Sequence, residues 1–281
     1  MSHNPMREVT AQQALAMLVV NPAAALRVLE TQSLSCVGLD VPAQERDQFT
    51  SFLVVHGRAF RASVLLLRKR RMDNVLDTLT VTKQLFSEYE LACYWDDYLA
   101  SLAIDAMTPK NPLLDSTSFG RFILAGLAPA DPQTALVAYD VARNEVLAAV
   151  AADESQYNRI LDVEDTSRWA PFVHPSTRME TFPTNVGTMV KLLASGKERN
   201  QVLEASTAQA ESILFFKNWV RGGVGSLRAN AAVSSALALL DGRLSAKSLA
   251  DRSPAFHKLL TALDAAGAIA RVAITETENE S

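Results

Sequence analysis

Four histidines (His3, His56, His174, His257) and two cysteines (Cys36, Cys93) are the chain's whole stock of imidazole and thiol groups. No histidine has another within a helical turn, so the paired ligands that a zinc or iron centre takes from one helix face are missing. Neither cysteine lies near a histidine in sequence, and both read as small buried hydrophobes rather than nucleophiles. Glu88, Glu90, Asp96 and Asp97 interleave with Tyr89, Tyr94 and Tyr98. That pattern is either a carboxylate site or the solvated face of a helix, and the lack of a nitrogen ligand favours the face. Ser195-Gly196-Lys197 lacks the phosphate-loop pattern: Lys191 stands where an earlier glycine is needed and Glu198 replaces the magnesium-binding hydroxyl. Gly223-Val224-Gly225 is followed by Arg228 where a third glycine would be required, so these too read as loop glycines. No Gly-x-Ser-x-Gly elbow occurs. His174, between Val173 and Pro175, reads as a hydrogen-bonded loop histidine rather than a proton carrier. The expectation is a chain with no catalytic residue, no metal ligand set and no cofactor of its own.

Helical spacing dominates the first half. Residues 9–31 carry two helices separated at Asn21-Pro22. A long pattern from Pro42 to Leu67 repeats Phe49, Phe52, Leu53, His56, Phe60 and Val64, and ends in Arg68-Lys69-Arg70-Arg71. That basic run resembles a nucleic-acid or localisation signal, but at a helix end it also complements the dipole, which is the preferred reading. Further helices are predicted over 73–86, 88–106, 116–126 and 132–152. The pattern changes near residue 167. Trp169 to Pro175 reads as a proline-broken stretch, and Arg178 to Phe182 alternates with period two. A helix is predicted over 184–194 and polar, unpatterned chain over 197–209. Ser212 to Val220 and Val224 to Arg228 make a hairpin through Arg221-Gly222-Gly223, with Gly225 weakening its second strand. Three short helices follow: 230–240, one capped by Ser245, and one opened by Ser253-Pro254. A last strand spans 268–274. The fold class expected is α+β, mostly helical: a helical domain over 1–166, a winged-helix-like module over 167–275 and an acidic tail over 276–281.

The chain has 281 residues, 48% of them hydrophobic and 21% charged, enough to build a core and too apolar for general disorder. No uninterrupted apolar stretch approaches the roughly 20 residues of a membrane helix, and no secretory signal is evident at the start. A soluble cytoplasmic protein is expected. The net charge of −4 hides an asymmetry, because residues 212–275 hold 8 basic against 3 acidic residues. That segment would attract anionic partners.

Winged-helix modules read DNA with a recognition helix or add an extended peptide to a sheet edge. Residues 254–266 contain one Lys and one His but no Arg, Asn or Gln, which makes a poor base reader. They make a good apolar wall, with Arg221, Arg228, Arg243 and Lys258 nearby to draw acidic side chains. The peptide groove expected from these residues comprises Val224, Ser226, Leu227 and Arg228 on the hairpin, and Phe256, His257, Lys258, Leu259, Leu260 and Leu263 on the helix.

The chain resembles the partner proteins that accompany multinuclear non-haem iron-dependent oxidative enzymes in ribosomal peptide natural-product pathways. The stretches that carry the likeness are Thr78 to Leu85, Trp95 to Leu99, Thr108 to Pro112, Phe119 to Ile123 and Tyr139 to Glu145. Val173-His174-Pro175, Phe182-Pro183, Ala238 to Ser245 and Leu263 to Gly267 extend it through the second half. The resemblance implies that the C-terminal module is similar to a RiPP recognition element, which holds a precursor peptide by strand addition. It further implies a heterodimer with a TIM-barrel enzyme that supplies the iron, so metal ligands are not needed here. Within the family the chain is most similar to the partner subunits of the 3-thiaglutamate pathway, whose complexes excise the β-carbon of a C-terminal cysteine on a carrier peptide. The expected function is therefore non-catalytic peptide presentation, without nucleic acid or membrane as partner. The alternative is a winged-helix DNA-binding regulator with a helical sensor domain; a stand-alone enzyme is a third reading, needing a dispersed site.

Overall fold

The computed structural model describes residues 6–104, 111–152 and 164–274. The chain divides into two compact units, Met1–Ile123 and Leu124–Ser281. It is a mostly helical α+β protein with small sheets.

In the first unit, β1 (Arg7–Glu8) pairs in parallel with β2 (Leu39–Asp40) around α1 (Ala11–Val20) and α2 (Pro22–Thr31). The break at Asn21-Pro22 is a cap: the Asn21 side chain accepts from Ala24 N–H, and proline occupies the first helical turn. Helices α1 and α2 pack on α3 (Ala43–Leu76) and enclose Leu18, Val28, Leu53 and Val64. Each such fully buried side chain contributes roughly 1.5–3 kcal/mol.

Helix α3 corrects the expected break at residues 68–72. It runs unbroken for 34 residues, so Arg68 to Arg71 lie inside it and cannot serve its C-terminal dipole. No glycine or proline occurs between Arg58 and Leu76, and the charges of the basic run are drawn apart by different partners. Arg68 pairs with Asp96, Lys69 with Asp73 four residues on, and Arg71 with Asp115. Met72, Val75 and Leu76 then bury the next turn. By length and composition α3 can also cross a membrane, with a mean hydropathy of 1.2 over its most apolar 18 residues. Arg58 and Arg61 interrupt it, which is why no continuous apolar stretch was apparent.

After α4 (Thr82–Leu85), α5 (Glu88–Ser101) disperses the acidic cluster rather than assembling it. Glu90 closes a capping box with Ser87, accepting from its N–H at 2.7 Å, and Asp96 holds Arg68. Trp95, Tyr98 and Phe119 of α6 (Pro112–Gly126) form an aromatic core, with Trp95 and Phe119 edge to face at 5.0 Å. The cysteines depart from expectation, since Cys93 is exposed and Cys36 only half-buried. The predicted end of α5 beyond residue 104 lies outside the described residues.

The second unit centres on an antiparallel sheet of β4 (Arg178–Phe182), β5 (Glu211–Lys217) and β6 (Val224–Ala229), with β5 in the middle. Helix α7 (Pro132–Ala152) packs on this sheet through Tyr139, whose ring meets Phe215 edge on at 5.0 Å. The expected border at 166/167 therefore differs from the border between the compact units, which falls in the last turn of α6. Helices α8 (Val186–Ala194) and α9 (Arg199–Glu204) follow β4, the latter unanticipated because it is a single polar turn and a half. Past the hairpin come α10 (Ala231–Leu237), α11 (Ala246–Ala250) and α12 (Pro254–Ala265), capped by Asn230, Ser245 and Ser253.

The last strand, β7 (Ala270–Ala273), pairs with β3 (Trp169–Phe172), not with the hairpin. Pro171 made β3 look like a break, yet a two-stranded ribbon leaves an edge where a missing N–H costs nothing. Gly225 corrects a further expectation. It sits in regular register opposite Phe216, and a Cβ there would lie 2.5 Å from the Phe216 ring. The glycine makes room for that ring instead of weakening the strand. Gly225→Ala is expected to destabilise the chain by about 1–3 kcal/mol, measured by urea unfolding.

Candidate functional site

Both faces of the three-stranded sheet are covered. Leu214, Phe216, Leu227 and Ala229 pack into one apolar cluster with Leu260 and Leu263 of α12. The opposite face turns Ile213 and Phe215 inward, with Tyr139 of α7 against Phe215. The strand order leaves the outer edge of β6 without a partner strand among the described residues.

The hairpin turn shows which backbone groups face that edge. Asn218 N–H donates to Gly223 C=O, so these two residues form a hydrogen-bonded pair. Hydrogen-bonded pairs recur at every second position of an antiparallel ladder. Gly225, Leu227 and Ala229 therefore bond to β5, and the N–H and C=O groups of Val224, Ser226 and Arg228 point outward. Gly222 and Gly223 both adopt left-handed conformations, φ 75° and 68°, which lets the turn close.

Asn218 is a structural residue that sequence reading missed. Its Oδ1 accepts from Val220 and Arg221 N–H, and its amide donates to Ala266 C=O. Trp219 N–H donates to Gly267 C=O at 2.8 Å. The hairpin tip is thus tied to the end of α12, so strand and helix hold a constant spacing. Gly267 allows this contact, having φ 74° and no Cβ to strike Asn218.

The ten expected groove residues fall in three places. Leu227, Phe256, Leu259, Leu260 and Leu263 share the apolar layer between β6 and α12, Leu260 and Leu263 fully inside it. Val224, Ser226 and Arg228 put their side chains on the other face. Ser226 hydrogen-bonds the Tyr139 hydroxyl at 2.8 Å, and Arg228 is ion-paired with Glu211 and bonded to Thr188. Glu211 is buried and also accepts from Gly187 N–H, so Arg228 neutralises an internal charge before it can attract an external one. His257 and Lys258 are exposed, and His257 turns to a cavity of about 240 Å3 bordered by Trp169, Asp264 and Arg271. His174 is buried with Nδ1 against Ser176, matching a hydrogen-bonded loop histidine.

Burial pushes the Tyr139 hydroxyl above its usual range, against the opposing hydrogen bond from Ser226. The unfolded chain gives up this proton first, near pH 10. Stability that depends on neutral Tyr139 is present below that pH and falls as pH rises past it. Tyr139→Phe is expected to flatten the alkaline loss of stability, read from urea midpoints between pH 8 and pH 11.

Among the described residues, no group of three or more His, Cys, Asp or Glu side chains converges as a metal ion would require. No protein-family model matches this chain, and no curated protein matches it.

Proposed function

We propose that this chain is a peptide-presenting subunit: an extended precursor peptide adds to the outer edge of β6 while a separate iron-dependent enzyme oxidises it. The hairpin, three helices and return strand then act as a winged-helix-like module similar to a RiPP recognition element. The observation that carries the reading is the outer edge of β6, which has no partner strand among the described residues, beside a sheet whose faces are already covered. An added strand would bond to the outward groups of Val224, Ser226 and Arg228, and main-chain pairing of this kind supplies affinity without sequence-specific pockets. The basic balance of residues 212–275 favours an acidic peptide, with Arg221 and Lys258 exposed to meet it.

Helix α3 supports the second half of the reading, a partner enzyme. Val55 and Leu66, three turns apart on one face of the helix, are 71% and 69% exposed, and Val54 next to Val55 is 73% exposed. Aliphatic side chains so exposed in a row suit a protein interface. Val55→Glu with Leu66→Glu should leave the circular dichroism unchanged and abolish co-purification with the enzyme.

The whole proposal is tested by co-expressing the chain with the iron-dependent TIM-barrel enzyme and short peptide expected to be encoded beside it. A ternary complex, with oxidation of the peptide only when this chain is present, is the expected result. Oxidation at an equal rate without the chain would overturn the reading.

A further inference from the structure

The basic run of α3 plays no part in peptide presentation, and its position points elsewhere. Arg68, Arg70 and Arg71 all line a cavity of about 470 Å3 in the first unit, a volume in the range of small-molecule sites. Its walls are largely aliphatic. Val19 and Val20 come from the end of α1, Leu67 and Val75 from α3, Leu99 from α5 and Pro112 from α6. Val20 and Leu67 remain 36% and 44% exposed, so apolar surface is left uncovered at the opening.

The three guanidinium groups are not equivalent. Arg71 is held at the cavity wall by two bonds to Asp115, at 2.7 and 2.9 Å, and a third to Val20 C=O. Asp115 is itself almost completely buried and also accepts from the Tyr98 hydroxyl, so this charge is balanced. Arg68 is bonded to Asp96. Arg70 has no carboxylate partner among the described residues. Asn74, one helical turn further, lines the same cavity and offers an amide donor beside it. One planar cation without a carboxylate partner among the described residues, and one amide, above aliphatic walls, match a single carboxylate on an apolar body.

We infer that this cavity binds a small apolar carboxylic acid, with Arg70 and Asn74 taking the carboxylate and Val20, Leu67 and Leu99 the hydrocarbon. The inference does not rest on strand addition at β6, which concerns only the second unit. Octanoate is the probe, with octanol as the same body lacking charge. Titration of the full chain, followed by methyl NMR, should move the Val19, Val20, Leu67 and Leu99 signals with octanoate. Octanol should bind at least tenfold more weakly. Arg70→Ala, at an exposed position, should weaken octanoate about tenfold and leave octanol unchanged. Equal binding of the two probes to the unmutated chain overturns the inference. So do no response to octanoate up to millimolar concentration, or shifts confined to other methyl groups.

Discussion

Replacing Asp115 by alanine is expected to lower the unfolding free energy by about 3–5 kcal/mol, the range for breaking one side of a buried ion pair. The carboxylate has a side-chain exposure of 3% and serves Arg71 through both oxygens and Tyr98 through one. Its loss strands a largely buried guanidinium and a buried hydroxyl at the meeting of α3, α5 and α6. Burial, with the Asp115 charge and hydrogen bond adding to it, already holds the Tyr98 proton well above the usual range. The double variant Asp115→Leu with Arg71→Met removes both charges and should recover most of the loss. Urea unfolding of the three proteins measures this directly. A cost under about 1 kcal/mol for Asp115→Ala would mean that the pair does not hold α3 in place.

Ser226→Pro should reduce precursor-peptide affinity at least tenfold without unfolding the chain. Proline removes the outward N–H of an edge strand, where it breaks no bond to β5. Ser226→Ala separates the two roles of this residue, since it loses only the side-chain bond to Tyr139 and keeps the amide. It should bind peptide nearly as well as the unmutated chain. Leu227→Pro removes an inward N–H and is expected to unfold the hairpin. Calorimetric titration, with circular dichroism as the check on folding, distinguishes the three. If Ser226→Pro binds normally, the peptide is not a fourth strand.

Much of the local structure was legible in the residues themselves. Asn21-Pro22, Ser245 and Ser253-Pro254 act as caps because a short polar side chain can reach a free N–H one turn on. The hairpin was legible from the strand-like run of Ser212 to Val220 and the two turn glycines after it. The continuity of α3 was not, because four consecutive basic residues look like a boundary until Asp96, Asp73 and Asp115 are seen to share them. Two of those partners come from helices distant in sequence. The same holds for β3, whose partner lies about a hundred residues downstream. For the candidate site, the strand and helix were recognisable but the facing of their side chains was not. Arg228 looked available until Glu211, buried at the start of β5, claimed it. Asn218 carries no signal in sequence, since its bonds to the end of α12 exist only after the hairpin has folded back.

Amide hydrogen exchange on the full chain, with and without the precursor peptide, bears most directly on strand addition. Slowed exchange at Val224, Ser226 and Arg228, with Gly225 and Leu227 already protected beforehand, is the predicted outcome. Unchanged exchange at those three amides, with protection appearing instead around His257 and Arg271, would contradict it.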